Sequence, residues 1–357
     1  MQKSSENTTK RSSNKLLWSL LSVLIAAATI WAVISQARAF SLDSFADYVF
    51  GTSKPWLLAA VLCMLGFIVF EGMAIATICR ALGYRTDFGR GFVYSASDIY
   101  FSAITPSATG GQPACAFFMI RDGIPGSVTT VVLLINLTMY TISIVCLGLF
   151  ALIAQPGIFL TFGLLSRILI IAGFVVQGLL TLLFLLLLAK RDMLHKICLK
   201  ALRFLCKIKL LRHEEEKRQK LATYMEEYAL CARMLREHRR PMLKALIFNL
   251  LQRISVITVP LCVFLASGGE LARAFRIWAI QCCAVIGSNT VPIPGAMGVS
   301  DYIMLDGFSD TVQLHNVINF ELLSRSLSFY ICVLLCGIAT LIAHLLLRKR
   351  GKRSGQR

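Results

Sequence analysis

Long apolar runs separated by short charged stretches dominate the hydrophobic pattern of this chain. Runs of about 18 or more apolar residues are long enough to cross a hydrocarbon core as a helix. On this basis we predict full spans at 16–35, 56–78, 127–154, 168–189, 245–267 and 320–347. The pattern therefore predicts an all-α, polytopic helical membrane protein.

Two further segments are moderately apolar but are interrupted by proline and glycine. Segment 94–123 carries Pro106, Gly110, Gly111 and Pro113, and segment 270–303 carries Pro292, Pro294, Gly295 and Gly298. With six full spans, the first segment begins and ends on one side of the membrane and the second on the other. We therefore expect two re-entrant broken helices, in corresponding places of an inverted repeat.

The distribution of charged residues along the chain predicts on which side of the membrane the termini lie. Only 16% of the 357 residues are charged against 56% hydrophobic, yet the net charge is +18. Of the 37 Lys and Arg, 30 fall on one side of the predicted spans. Since cytoplasmic loops carry the excess of Lys and Arg, both termini are predicted to be cytoplasmic. The positive charge is then explained by topology and lipid headgroups, and no direct binding of nucleic acid is expected.

The same pattern divides the chain into five parts. We predict a cytoplasmic tail at 1–15, a first membrane half at 16–189, a linker at 190–244, a second membrane half at 245–347 and a basic cytoplasmic tail at 348–357. In the linker, 194–211 alternates leucine and isoleucine with lysine. This is typical of an amphipathic helix on the inner leaflet, or of an ordinary solvated helix.

The broken segments are the first candidates for a functional site. Non-helical backbone at membrane depth survives only where protein or a water-filled cavity surrounds it, and amides freed at a half-helix N-terminus favour an anion such as phosphate. Kinked structural helices that pack through small residues are the alternative. The residues predicted to line a lipid-headgroup path are Thr109, Gly110, Gly111, Gln112, Asn289, Pro292, Pro294 and Gly295.

Charged residues inside the predicted spans extend this list. Glu71, Arg253, Glu321 and Arg325 lie in apolar surroundings, where a charge near the bilayer centre costs at least about 2.5 kcal/mol and usually faces the bundle interior. The arginines are predicted to bind a lipid phosphate, with the glutamates as counter-ions or a proton relay. Structural ion pairs are the alternative. Asp98 and Asp301, beside the two broken segments, either belong to the site or cap helices.

Catalytic chemistry is weakly indicated. The chain has no G-x-x-x-x-G-K-[ST] loop, its five histidines show no metal-binding spacing, and no Ser–His–Asp arrangement stands out. We therefore predict no catalytic residues, no metal and no cofactor. Its twelve cysteines contain no C-x-x-C pair and are expected to be reduced.

Two motifs resemble a known family. "TPSATGGQPACAFFMIRDGIP" (105–125) and "PIPGAMGVSD" (292–301) are similar to the lysylphosphatidylglycerol synthase transmembrane family, also called the flippase-like domain family. The resemblance covers roughly residues 15–347. The second motif departs slightly, because Ala296 stands where a second glycine is usual and Asp301 stands where glutamate is usual.

This resemblance implies a bacterial cytoplasmic membrane protein that moves a phospholipid, possibly lysylated, or another lipid-phosphate headgroup between leaflets. Its partners would be anionic or lysylated membrane lipids. The alternative is phosphatidylglycerol lysyltransferase activity, which transfers lysine from lysyl-tRNA and gives resistance to cationic antimicrobial peptides. The sequence shows no transferase domain, so a separate aminoacyl-transferase partner is an intermediate case. A purely structural scaffold is a third hypothesis.

Overall fold

A computed structural model describes residues 42–105, 108–189, 224, 226, 227, 233, 237–289, 298–308 and 317–354. Every regular element of this described part is helical. The helices are α1 Leu42–Phe50, α2 Lys54–Ala81, α3 Phe88–Ile104, α4 Gly111–Arg121, α5 Gly126–Ala154, α6 Ile158–Thr161, α7 Leu164–Ala189, α8 Arg239–Ala266, α9 Leu271–Ser288, α10 Val299–Phe308, α11 Val317–Arg325 and α12 Cys332–Ser354, with a π-helical stretch at Ser326–Ile331 between the last two. Residues 52–357 form one compact unit, and α1 belongs to a separate one.

The prediction of an all-helical polytopic membrane protein is confirmed. Six helices in the described residues are long and apolar enough to cross a membrane, and five of them match predicted spans. Those five are Lys54–Ala81, Gly126–Ala154, Leu164–Leu188, Arg239–Ala266 and Val317–Leu346. The predicted first span at 16–35 and the amphipathic stretch 194–211 lie outside the described residues.

The second broken segment, predicted as a re-entrant broken helix, begins with a long helix. Its first arm, α9, has 18 residues and is the sixth candidate span. At about 1.5 Å per residue it is about 27 Å long, close to the roughly 30 Å thickness of a hydrocarbon core. Arg273, Arg276 and Gln281 lower its hydropathy, which hid this span in the sequence pattern. Whether α4 and α10 enter the bilayer as re-entrant arms stays a prediction.

Helix lengths repeat along the chain. Helices α2, α3, α4 and α5 have 28, 17, 11 and 29 residues. Helices α8, α9 and α10 have 28, 18 and 10 residues, and the last candidate span has 30. In each series the break falls between the second and third helix. The described residues therefore contain two series of helices with the same order of lengths, as the predicted repeat requires.

The two repeats contact each other reciprocally. The last span, through α12, packs on α3 of the first repeat, and α5 packs on α9 of the second repeat. Helices α2 and α8 pair along their lengths and are antiparallel: Ser53 N donates to Ala266 O (2.7 Å), while the rings of Phe70 and Phe248 stack at 6.4 Å. Antiparallel pairing of equivalent spans supports the predicted inverted repeat.

Two glycines allow α2 and α3 to touch through their backbones. A Cβ placed on Gly72 would lie 2.6 Å from Gly91 O, and a Cβ on Gly91 would lie 2.6 Å from Gly72 O. Small residues at such a contact are a usual device for close helix packing in membranes. This contact fixes the position of α3, which carries part of the site described below.

We expect Gly72→Ala to lower the free energy of unfolding by about 1–3 kcal/mol, because the added methyl group forces α2 and α3 apart. The matched control is Gly89→Ala in α3, where a new Cβ meets nothing within 4 Å. That control is expected to be neutral or slightly stabilising. Unfolding of both variants in detergent would check this, and equal stability of the two would contradict the backbone contact.

The described residues of the linker reach the start of α5. Ser127 Oγ donates to Glu227 Oε2 (2.6 Å), and Tyr224 Oη donates to Gly126 O (2.7 Å). An acidic side chain at the first turn of a helix interacts favourably with the helix dipole. Helix α8 already begins at Arg239, inside the predicted linker 190–244. Tyr224 and Glu227 of the predicted linker are therefore packed against the start of α5.

Candidate functional site

Arg253 lies near the middle of α8, where α8 crosses α2. Its side chain is 7% exposed, and its guanidinium carbon lies 4.9 Å from the centre of the Phe67 ring and 4.3 Å from the centre of the Tyr140 ring. Its Nε donates to Gln252 Oε1 (3.2 Å). Among the described residues, no carboxylate lies within ion-pair distance of Arg253. Its guanidinium instead makes cation–π contacts with the two aromatic rings.

Two buried carboxyl groups lie next to this arginine. Glu71 on α2 and Asp98 on α3 are each 6% exposed, and Ser95 Oγ, one turn before Asp98, donates to Glu71 Oε2 (3.2 Å). Both are close enough to Arg253 to interact with its charge. Isolated buried charges are costly, so this grouping is stable only as a mutually compensated set. We call Glu71, Asp98, Gln112 and Arg253 the central polar cluster.

Helix α4, which follows the first break, contacts this cluster through its first turn. Gln112, in the first turn of α4, donates through Nε2 to Asp98 Oδ2 (3.0 Å). A Cβ on Gly111 would overlap the Asp98 carboxylate and would lie 2.6 Å from Asp98 O. The Asp98 carboxylate therefore occupies the N-terminal end of α4, where the helix dipole favours negative charge. The amide of Gly110 donates to Thr105 Oγ1 (2.9 Å), so that part of the predicted phosphate cradle is already engaged.

The remaining predicted residues at the breaks lie at the surface or outside the described residues. Thr109 is exposed beside the first break, and Asn289 is exposed at the end of α9. Pro292, Pro294 and Gly295 fall within 290–297, outside the described part of the chain. The structure thus brings Glu71, Gly111, Gln112 and Arg253 together.

A second charged group, the Arg325 cluster, consists of Asp301, Glu321 and Arg325. Arg325 forms an ion pair with Asp301 on α10, and its Nε lies 3.5 Å from Glu321 Oε1, one turn earlier on α11. Asp301 Oδ2 also accepts from Gly298 N (3.0 Å) at the start of α10. The side chains of this cluster are 12–13% exposed. Both clusters hold two acids and one arginine beside the second arm of a break.

Sequence reasoning identified three of the four members of the central polar cluster and left the fourth open. Asp98 was predicted either to belong to the site or to cap a helix. Ser95, Asp98 and Ser102 recur at helical spacing and share one face of α3. That periodic polar face was the available signal. The aromatic partners Phe67 and Tyr140 carried no signal, because their contact with Arg253 depends on how α2, α5 and α8 pack.

We expect Gly111→Ala to separate α4 from α3, because its methyl group takes the place of the Asp98 carboxylate. The loss of the hydrogen bond from Gln112 to Asp98 and the overpacking together should cost about 1–3 kcal/mol of unfolding free energy. Gly157→Ala, where a Cβ meets nothing within 4 Å, is the control. A thermal unfolding curve for Gly111→Ala that overlays the wild-type curve would show that the break is loosely packed.

The fold and these buried clusters define a multi-pass helical membrane protein with charged groups inside its helix bundle. A family model described as "Lysylphosphatidylglycerol synthase TM region" matches residues 19–336, and the chain belongs to this family. A comparison with curated proteins gave no match.

Proposed function

We propose that this protein moves a phospholipid or another lipid-phosphate headgroup between the leaflets of the bacterial cytoplasmic membrane. The observation that carries the proposal is Arg253, a guanidinium near the middle of a membrane span with no carboxylate in ion-pair distance among the described residues. A guanidinium binds phosphate through two parallel hydrogen bonds. A cation inside a membrane span is costly, and such residues mark transport pathways.

The surroundings of Arg253 favour a transport site over a structural one. The first turn of α4, after the first break, lies at the cluster, and nearby Thr109 is exposed while Gly111 is buried. In transporters built from inverted repeats, substrate sites lie near the bilayer midplane next to discontinuous helices. Two carboxyl groups beside one arginine also suit a headgroup that carries both a phosphate and an ammonium group, such as a lysylated one.

Transbilayer exchange in vesicles tests this proposal. The purified chain would be reconstituted in vesicles that contain a headgroup-labelled phospholipid, and a membrane-impermeant quencher would be added outside. Loss of signal from the inner leaflet reports exchange. We expect faster exchange than in empty vesicles for at least one of phosphatidylglycerol, lysyl-phosphatidylglycerol and phosphatidylethanolamine. No acceleration for any of the three would contradict the proposal.

The family description favours a second candidate, since it names a lysylphosphatidylglycerol synthase. Under this candidate the chain transfers lysine from lysyl-tRNA to phosphatidylglycerol, alone or with a separate aminoacyl-transferase chain. Membranes containing the protein would be incubated with labelled lysyl-tRNA and their lipids extracted. Formation of labelled lysyl-lipid would support this candidate, and its absence with exchange activity present would favour the lipid translocase.

A further inference from the structure

A groove between α2 and α8 lies at the end of the bundle where α2 ends and α8 begins. Its volume is about 370 Å³, and the residues that line it are distinct from the central polar cluster. Pockets that bind small ligands usually measure about 300–1,000 Å³. Arg80, in the last turn of α2, and Lys244, in the second turn of α8, both line this groove. Because the two helices are antiparallel, these two cations lie at the same end of the groove.

The rest of the groove is mainly apolar. Val69, Met73 and Ala76 line it from α2, and Phe248 lines it from α8. The three α2 residues and Arg80 recur at spacings of four, three and four, so they share one face of the helix. Val69, Met73 and Phe248 are half-buried. An apolar stripe therefore runs along α2 and ends at a cation.

The length of this stripe matches one leaflet of a bilayer. Arg80 follows Val69 by 11 residues, which corresponds to about 16 Å along a helix. Half of a hydrocarbon core measures about 15 Å. If Arg80 lies at headgroup level, the apolar walls extend over the depth of one acyl layer.

The two cations can bind an anion. Arg80 Nε donates to Thr86 O (2.7 Å), which leaves the two terminal amino groups of its guanidinium for a ligand. Among the described residues, no carboxylate lies within ion-pair distance of Arg80 or Lys244. The described lining also contains no acidic side chain. Phosphate is an anion that guanidinium and ammonium groups both bind well.

We propose that this groove binds an anionic phospholipid, with the phosphate between Arg80 and Lys244 and one acyl chain along the apolar stripe. Lipids are the molecules that surround both walls, since α2 and α8 are candidate membrane spans. A zwitterionic lipid binds less well, because its ammonium group is repelled by the same two cations. This inference concerns docking on the bundle and does not depend on lipid movement past the central polar cluster.

The test places a fluorescent reporter in the groove. Phe248→Trp would be made in the full chain after its four tryptophans are replaced by phenylalanine, and the protein would be reconstituted in phosphatidylcholine vesicles. Lipids brominated on the acyl chain quench tryptophan fluorescence on contact. Titration with brominated phosphatidylglycerol or brominated phosphatidylcholine therefore gives the relative binding constant of each lipid at the groove.

We expect phosphatidylglycerol to bind the groove about 5- to 25-fold more tightly than phosphatidylcholine. Each Lys or Arg at a membrane surface favours an anionic lipid by about 1 kcal/mol, which is about fivefold in a binding constant. Lys244→Gln should lower the preference about fivefold, and Arg80→Gln combined with Lys244→Gln should remove it. Arg273→Gln, which changes an exposed arginine before the start of the bundle's α9 core, should leave the preference unchanged.

A second reporter distinguishes the groove from the general lipid surface. Leu179→Trp, at a 61% exposed position on α7, replaces Phe248→Trp in the same background and should show little preference between the two lipids. Thermal unfolding of each variant shows that the protein used is folded.

The outcomes separate this inference from the proposed function. Equal quenching by both lipids at position 248, an equal preference at positions 248 and 179, or a preference that survives both neutralisations overturns the groove and leaves the lipid-transport proposal in place. A preference at position 248 that depends on Lys244, in a protein that does not accelerate lipid exchange, supports the groove and contradicts only the proposed function.

Discussion

Replacing Arg253 by alanine is expected to reduce lipid exchange by about 10- to 100-fold. Hydrogen bonds between a charged group and its partner contribute about 1.5–3 kcal/mol, and each 1.4 kcal/mol corresponds to a factor of about ten. In the alanine variant the phosphate has no guanidinium to bind, and Glu71 and Asp98 lose the neighbouring cation. The vesicle exchange assay, at equal protein density, measures the effect.

One further variant separates charge from geometry at this position, and a second, elsewhere, is its control. Arg253→Lys keeps the charge but loses the planar fork and the stacking on Phe67 and Tyr140, so we expect an intermediate rate. Arg273→Ala removes an exposed arginine that pairs with Glu270 on the surface, and it should leave exchange unchanged. Normal exchange by a folded Arg253→Ala protein would remove Arg253 from the transport path.

The second large effect is expected for stability. Arg325→Ala leaves Asp301 and Glu321 in a mostly buried site without their cation. Removing one partner of a buried ion pair typically costs 3–5 kcal/mol, because the remaining charge is uncompensated. We therefore expect a cost of about 3–5 kcal/mol in unfolding free energy, measured by denaturant titration in detergent micelles.

A surface ion pair between Arg273 and Glu270 provides the comparison for Arg325. The side chains of this pair are 57% and 69% exposed, and such exposed pairs contribute about 0–1 kcal/mol to stability. Arg325→Ala and Arg273→Ala should therefore differ by several kcal/mol. Similar unfolding curves for the two variants would show that the Arg325 cluster is solvated and does not hold α10 against α11.

The long spans were predictable because each is a nearly uncharged apolar run. The predicted spans 56–78 and 127–154 lie within Lys54–Ala81 and Gly126–Ala154. Hydropathy did not single out α9, where two arginines and a glutamine interrupt the apolar run, although the helix is long enough to be a candidate span. The re-entrant character of the two breaks and the cytoplasmic placement of the termini stay predictions, since they concern the membrane itself.

The candidate site was predictable only in part. A charge inside an apolar span is visible in the sequence, and this identified Glu71 and Arg253. Which groups meet depends on tertiary packing: Asp98 reaches Glu71 because Gly72 and Gly91 let α2 and α3 approach closely. The ring contacts of Tyr140 follow from the crossing of α5 and α8, which no local pattern encodes.

The central claim is that a lipid-phosphate headgroup passes the central polar cluster between the leaflets, so the cluster must be reachable from both faces of the membrane. Its most direct test is a single cysteine in place of Gln112, in a cysteine-free background, treated in vesicles with a membrane-impermeant anionic thiol reagent from each face. Val131→Cys, in the fully buried apolar core, is the unreactive control. We predict that the cysteine at 112 reacts and that short-chain phosphatidylglycerol slows the reaction. Absence of reaction from both faces would contradict the account.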